Sequence, residues 1–380
     1  MTSADNLKPL VDLRHRLHEY PELSGQEKKT ASLMAKKLKE LVPDELITGI
    51  GGYGVAARFN SANPGPCVLF RAELDALPIE EINDFPHRSK NSGISHKCGH
   101  DGHMSIIYGL AQMISNERPK QGSVILLFQP AEETGEGARA VVADPKYSML
   151  KPDYCYALHN LPGHPLAEVL IRSGTFNCAS RGMIVNLSGK TAHAAYPETG
   201  VSPALALAEL LQVFPGLAST VNKNELLMTT TVHATMGERA FGTAPADAEF
   251  MVTLRSETNE GMDLLVAKAT EQIKKTAADY GLKYEIGWTD IFDASINDLE
   301  CVENVARAAK NTAHTVCWLP EAFRWSEDFG AISASAKGAM FAYGAGEQRP
   351  QIHNPDYDFP DDLINSGMSI FFDLYKQHLL

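Results

Sequence analysis

Apolar residues recur at helical spacing near the N-terminus: Leu7, Leu10, Val11 and Leu17, then Leu33, Met34, Leu38 and Leu41. The breaker "YPELSG" separates the two series, so two helices are predicted. Short apolar runs follow. "GVAARF" at 54–59 and "CVLFRAEL" at 67–74 read as strands, the second almost continuously apolar, as a strand buried on both faces should be. A helix from about Gly102 to Ile114 precedes a strand "SVILLFQ" at 123–129, a helix near 136–143 and a strand "YCYALHN" at 154–160. Strands alternating with helices predict an α/β domain with a mainly parallel sheet covered on both faces.

The middle of the chain has a different rhythm. "RGMIVNLSG" (181–189) reads as a strand and 203–220 as an Ala/Leu-rich helix able to cover its own sheet. Residues 226–237 and 248–256 are predicted strands, 260–280 a helix, and "KYEIGW" (283–288) a strand. That order, βαββαβ, is the ferredoxin-like unit. The α/β pattern resumes after about Asp293, with a helix near 299–313, the strand "GAMFAYG" and a closing helix from about Asp361. The expected organisation is therefore an α/β domain built from 1–179 and 293–380, interrupted by a βαββαβ domain at 180–292.

Composition narrows the function classes. A chain of 380 residues suits two domains. The formal charge of −13 argues against nucleic acid or an anionic membrane as partner. No apolar run approaches a bilayer span, and "MTSADNLKPLVDLRHRL" lacks the pattern of a secretory leader. The six cysteines (67, 98, 155, 178, 301 and 317) are scattered, as expected of reduced thiols in a cytoplasmic protein.

Reactive side chains gather in one part of the predicted sheet. His96, Cys98, His100, Asp101 and His103 lie within eight positions, just before and within the start of a helix. Asp75 ends the strand "VLFRAEL", "QPAEE" puts Glu132 and Glu133 just past 123–129, and His159 closes "YCYALH". Ligands of parallel α/β sheets bind at the carboxyl ends of strands, and four segments deliver acids, His and Cys there. Those side chains bind Zn²⁺ and similar ions. Two other readings of Cys98 stand beside that one. It could be a nucleophile paired with histidine, which leaves the adjacent carboxylates without a task, or a buried cysteine among unrelated histidines. Glu132 and Glu133 alone would read as a solvated helix start. At the exit of a buried strand, one can bind metal while the other moves protons.

Together the motifs "RHRLHEYPELSGQE", "RAELDALPIEE", "KCGHDGHM", "LLFQPAEETGEGA", "LHNLP", "GKTAHAAYP", "SEDFG" and "IHNPDYDFPDD" resemble the M20 family of metallo-amidohydrolases and peptidases. The chain is most similar to the branch of hippurate hydrolases, auxin–amino-acid conjugate hydrolases and N-acyl-amino-acid deacylases. The family's fold, an α/β catalytic domain interrupted by a βαββαβ lid, is the one the pattern predicts. The resemblance implies two divalent metal ions, Zn or Mn with Co or Ni as alternatives, held by Cys98, His100, Glu133, His159 and His353. It implies Glu132 as catalytic base, with Asp75 and Asp101 orienting ligand histidines. His193 in "KTAHAAYP" would stabilise the oxyanion, often from the partner subunit of a homodimer formed through the lid. Arg255, at the end of a lid strand, is a candidate for a substrate carboxylate or simply a solvated arginine. His103 is left open between structure and function, and His15, His18 and His96 are read as structural.

The expected substrate is an N-acyl amino acid or similar conjugate. A dipeptidase or exopeptidase using the same site is the alternative, and a non-catalytic binding protein on this scaffold is a third reading. Hinges are expected near 178–181 and 292–296. Three positions depart from the family pattern: Gly242 replaces an asparagine, Glu198 a histidine and Glu73 an aspartate. They bear on substrate identity; a carboxylate at Glu198 disfavours an acidic substrate and suits a cationic one.

Overall fold

The structure is a computed structural model and describes residues 4–222 and 225–380. Its chain divides into two compact units. One comprises residues up to Phe176, Ser295–Ala322 and Glu327–Leu380; the other comprises Asn177–Ala294 and the short return Phe323–Ser326. The boundaries between them fall at 176/177 and 294/295, and the return 323–326 has no counterpart in the sequence pattern. Its four residues contain no periodicity to read.

The first unit is built on an eight-stranded sheet. Across it run Glu45–Ile50, Gly54–Asn60, Ser123–Gln129, Cys67–Glu73, Tyr154–Leu161, Lys337–Gly344, Val169–Ile171 and Val316–Trp318. The middle four strands are mutually parallel. Gly54–Asn60 and Val169–Ile171 join them antiparallel, so the sheet is mixed, with its parallel part at the centre. Every residue of Cys67–Glu73 and Ser123–Gln129 is buried, which is why those strands read as apolar runs without polar alternation, broken only by Arg71 and the residues at their ends. Three strands escape the pattern: 45–50 is half exposed, and 169–171 and 316–318 are too short to show a period.

The helix His100–Asn116 packs between Ala4–Glu19 and Asp362–Leu379 over this sheet. Thirteen of its seventeen residues are buried, so it carries apolar residues all round rather than a stripe. Phe70, Phe341, Tyr156 and Phe371 form a ring cluster with centroids 5.3–5.8 Å apart for the contacting pairs. Truncating Phe70 to alanine there would cost about 3–5 kcal/mol.

The second unit is a four-stranded antiparallel sheet in the order Leu227–Met236, Asp247–Ser256, Ala179–Ser188, Lys283–Phe292. Asp247–Ser256 alternates buried and half-exposed residues, the period of a one-faced strand. The buried set (Ala248, Phe250, Val252, Leu254) meets Leu210 and Phe214 of the helix Ala204–Leu217 and Leu265 and Ile273 of Asn259–Asp279. Thr258 caps the latter helix, its hydroxyl accepting from the Gly261 N–H at 2.9 Å.

Candidate metal centre

Three central strands end where the candidate residues begin. Cys67–Glu73 leads to Asp75, Ser123–Gln129 to Glu132 and Glu133, and Tyr154–Leu161 carries His159 near its end. The turn before the helix His100–Asn116 adds Cys98. Gly99 makes that turn possible: its φ is +99°, and a Cβ there would lie 2.3 Å from Asn160 Oδ1. Gly102 serves a second close approach, a Cβ there falling 2.4 Å from the Phe359 ring. Ala131 (φ +48°) and His353 (φ +66°) are non-glycine residues in the left-handed region, so strained backbone gathers here. Ala131 is held by its N–H to Glu27 Oε1 at 2.8 Å, and His353 by its N–H to the Lys97 carbonyl at 2.8 Å.

Within this unit the structure brings together Cys98, His100, Glu132, Glu133, His159 and His353. Cys98 Sγ lies 3.3 Å from His159 Nε2 and 3.4 Å from His353 Nε2. His353 Nε2 is 3.6 Å from Glu133 Oε2, and His100 Nε2 is 3.8 Å from Glu133 Oε1 and 3.6 Å from Glu132 Oε2. Donors bound tetrahedrally at zinc-like bond lengths stand about 3.3–3.8 Å from one another. The donors form three trios able to hold a cation: Cys98–His100–His159 and Cys98–Glu133–His353, which share the thiol, and His100–Glu132–Glu133.

The donor set fits metal on further grounds. His100 Nε2 and Glu133 Oε1 are buried and have no hydrogen-bond partner among the described residues. Their places are otherwise unexplained, since a buried polar atom normally finds a partner. His100 Nδ1 lies 2.9 Å from the Asp75 carbonyl and His159 Nδ1 2.8 Å from that of Asn160, so each donates through Nδ1 and, in its neutral form, keeps an Nε2 lone pair. Burial, assisted by the neighbouring carboxylates Glu133 and Glu132, pushes the Cys98 thiol well up. Burial and the charges of Glu327, Glu133, Asp328 and Asp75 do the same to Glu132. Glu133 is raised to about 7, by burial first and Asp75 next, against the pull of His100. His159 is lowered to about 3, by burial and by His103. Positive charge among these groups would return the thiol and carboxyls to their ionised forms.

Asp75 and Asp101 part company. Asp75 Oδ2 accepts from the Ser24 hydroxyl at 2.7 Å and the Glu133 N–H at 3.0 Å, and Oδ1 is 3.5 Å from His100 Nδ1, so it orients two of the candidates. The family resemblance implies the same task for Asp101, but its bonds go to Arg14 Nη1 at 3.1 Å and His18 Nδ1 at 2.9 Å. The start of a helix turns successive side chains about 100° apart, which sends Asp101 away from His100 and into a buried charge network. There Arg14 also meets Asp358, His18 meets Glu81 and Glu81 meets Lys97. His103 has both nitrogens engaged, Nδ1 with Glu73 at 2.7 Å and Nε2 with the Asn160 N–H at 3.3 Å, a structural arrangement. His96 is buried with neither nitrogen bonded among the described residues.

Sequence reasoning misses the floor of this site. Arg71, fully buried, bonds Glu73, Glu327 and Asp328. Asp328 also accepts from Gln129 Nε2 and the Ala138 N–H. Oxygens of Glu132, Glu327 and Asp328 lie within 4.8 Å of one another. "SEDFG" is visible as a motif, but its partner Arg71 is 256 residues from Glu327 and no spacing links them.

His193 and Arg255 belong to the second unit. His193 is exposed in a two-residue strand paired with Thr243–Ala244, and its Nδ1 accepts from the Ala195 N–H at 3.0 Å. In the neutral ring that leaves the proton on Nε2. Arg255 Nη1 donates to the Arg324 carbonyl at 2.8 Å and to Ser326 Oγ at 2.9 Å. It is half-buried and spoken for, not a free solvated arginine.

Residues 69–377 match the model of Peptidase family M20/M25/M40. The chain belongs to that family. Among M20 relatives, N-acetyl-L-cysteine deacetylase of Bacillus subtilis (strain 168) is 30% identical over 378 residues, covering 98% of this chain and 88% of its own. Hippurate hydrolase of Campylobacter jejuni is 28% identical over 369 residues, covering 97% and 96%. A Bacillus subtilis dinuclear metal binding peptidase of the M20 family superposes with a TM-score of 0.83 over 98% of both chains at 24% identity, a likeness of fold. With M20 membership the protein is a hydrolase of amide bonds, and its mixed α/β fold with a second unit is that of the family.

Proposed function

We propose that this protein is a metal-dependent amidohydrolase that removes the acyl group from an N-acyl amino acid. The observation that carries the reading is the pair of trios sharing Cys98, with His100 Nε2 and Glu133 Oε1 otherwise unpartnered among the described residues. Relatives named for N-acetylcysteine and hippurate both act on N-acyl amino acids, which supports the substrate class.

In this reading Cys98, His100, Glu133, His159 and His353 hold two divalent ions. A thiolate ligand favours Zn²⁺ among them, with Mn²⁺ next and Co²⁺ or Ni²⁺ as alternatives. Such ions supply Lewis acidity, bringing the pKa of a water toward neutrality and polarising the amide carbonyl. Glu132 takes the proton from the attacking water and hands it to the leaving amine. Arg71 holds its neighbour Glu327 in the ionised form despite burial, and that negative charge holds a proton gained by Glu132 until the amine takes it. Asp75 fixes His100 and the Glu133 backbone. His193 presents an Nε2–H donor to the oxyanion. The second unit serves as lid and as the contact of a homodimer. Cysteines scattered along the chain suit a cytoplasmic protein. No described helix is long and apolar enough to cross a membrane.

The test is release of free amine from N-acyl amino acids and dipeptides by protein reloaded separately with Zn²⁺ and Mn²⁺, with Glu132→Gln alongside. Turnover on the acyl compounds that the variant abolishes supports the reading. Preference for dipeptides would replace it with an exopeptidase, and no turnover with both metals bound would leave a binding protein.

A further inference from the structure

Arg255 sits near the end of an interior strand of the second unit, opposite Met228 on one side and Ser180 on the other. Its guanidinium makes no ion pair with an acid among the described residues. It donates instead to the Arg324 carbonyl and Ser326 Oγ, at 2.8 and 2.9 Å. The same short run is tied at its backbone. The Cys178 N–H donates to the carbonyls of Phe323 (3.0 Å) and Trp325 (3.2 Å), and Phe323 forms a parallel bridge with Asn177. Residues 323–326 are thus anchored by the second unit, although the chain on either side of them belongs to the first.

The next two residues are Glu327 and Asp328. These are gripped by Arg71, Gln129 and the Ala138 N–H, and both present an oxygen within 4.8 Å of Glu132. No residue intervenes between Ser326, which Arg255 holds, and Glu327, which stands beside Glu132. Carboxyl groups this close interact strongly, by repulsion when ionised and through a shared proton when not, so where Glu327 and Asp328 stand constrains where Glu132 can stand. The peptide bond between 326 and 327 is rigid, and a displacement of Ser326 passes directly to Glu327.

We infer that Arg255 is a positioning residue: by pinning Arg324 and Ser326 it sets the placement of Glu327 and Asp328, and through them that of Glu132. The inference rests on the reading of Glu132 as base. It replaces the expectation that Arg255 receives a substrate carboxylate. The two roles leave different marks. An arginine that binds substrate equally well in the ground and transition states raises KM when removed and spares kcat, whereas a misplaced base lowers kcat.

The experiment is a double-mutant cycle of Arg255→Met and Ser326→Ala in the metal-replete full chain, assayed on an N-acetyl amino acid. A second series places the same variants in a Trp288→Phe/Trp318→Phe background, where Trp325 alone reports acrylamide quenching. Arg255→Met is expected to lower kcat about 10- to 100-fold with KM nearly unchanged, since small displacements of a reacting group cost that much. Ser326→Ala is expected to do less, and the double variant no more than Arg255→Met, because both act on one run. Trp325 should become more accessible to the quencher in Arg255→Met. A rise in KM with kcat kept, additive effects of the two substitutions, or unchanged quenching of Trp325 would each overturn the inference. Should the wild-type protein cleave no amide at all, the proposed function falls, while Trp325 quenching still decides whether Arg255 holds the run.

Discussion

In the first unit His100 and His159 are buried and donate Nδ1–H hydrogen bonds to the carbonyl oxygens of Asp75 at 2.9 Å and Asn160 at 2.8 Å. In the second unit His193 is exposed, and its Nδ1 accepts a hydrogen bond from the Ala195 N–H at 3.0 Å. The same side chain therefore offers opposite faces. Two rings turn an Nε2 lone pair outward, suited to a cation; the third turns out an Nε2–H, suited to an oxyanion. A single backbone partner decides the polarity each time. The first pair is also embedded in partners on every side, whereas His193 is held by its own short turn. Metal binding should thus depend on the first unit alone, and turnover on both.

The largest effect expected is that of Glu132→Gln, which removes proton transfer without removing a ligand. Turnover should fall by about 10⁴-fold at undiminished metal content, read by metal analysis of the assayed sample. Full activity in that variant would sink the base assignment. Cys98→Ala should break the comparison from the other side. It strips the donor common to two of the trios, so metal content itself should drop, and a variant that kept its metal would show that the thiol is not a ligand.

His193→Ala sharpens the contrast. Loss of one oxyanion donor costs about 10²–10³ in kcat, and an exposed residue of the second unit should leave metal affinity and melting temperature as they were. Weakened metal binding in this variant would contradict the division of labour. A smaller effect is expected of Asp75→Asn, about 10- to 100-fold in metal affinity measured by competition with a chelator.

The smallest concerns pH. Burial alone would lower His18, but its bonds to Asp101 and Glu81 prevail and raise it to about 9. A raised folded-state pKa means the protonated form is favoured by folding. Its contribution is complete below the ordinary histidine value of about 6.5 and is lost as pH rises through about 9. The melting temperature of metal-free protein should fall across that window more steeply than that of His18→Gln. Parallel curves would remove His18 from the account.

Much of the site is legible in the sequence because its residues lie where elements change. Asp75, Glu132 and His159 stand at or near the ends of apolar runs, and alternation of strand and helix places such ends on one edge of a sheet. Cys98 and His100 share one short motif. His353 is legible only through resemblance, since nearly two hundred residues of chain and a whole second unit separate it from His159. Asp101 is misread because adjacency to a ligand suggests a shared task, whereas helix geometry sends neighbours in different directions. The return of 323–326 to the second unit and the clamp of Arg71 on Glu327 and Asp328 leave no periodic trace. Contacts of that kind depend on where distant segments happen to cross.

The longer strands and helices could be read from the chain alone, as could a change of rhythm in its middle and the gathering of Cys, His and acidic residues at the ends of predicted strands. These follow from local periodicity and from the rule that ligands meet the carboxyl ends of parallel strands. It took the fold to show that Asp75 bonds the Glu133 N–H and faces His100 while Asp101 turns to Arg14 and His18, which carbonyl each imidazole meets, and that Arg255 grips the run leading to Glu327. Those outcomes turn on bond directions and separations of a few ångströms between residues far apart in the chain, and a one-dimensional pattern carries no information about direction across space.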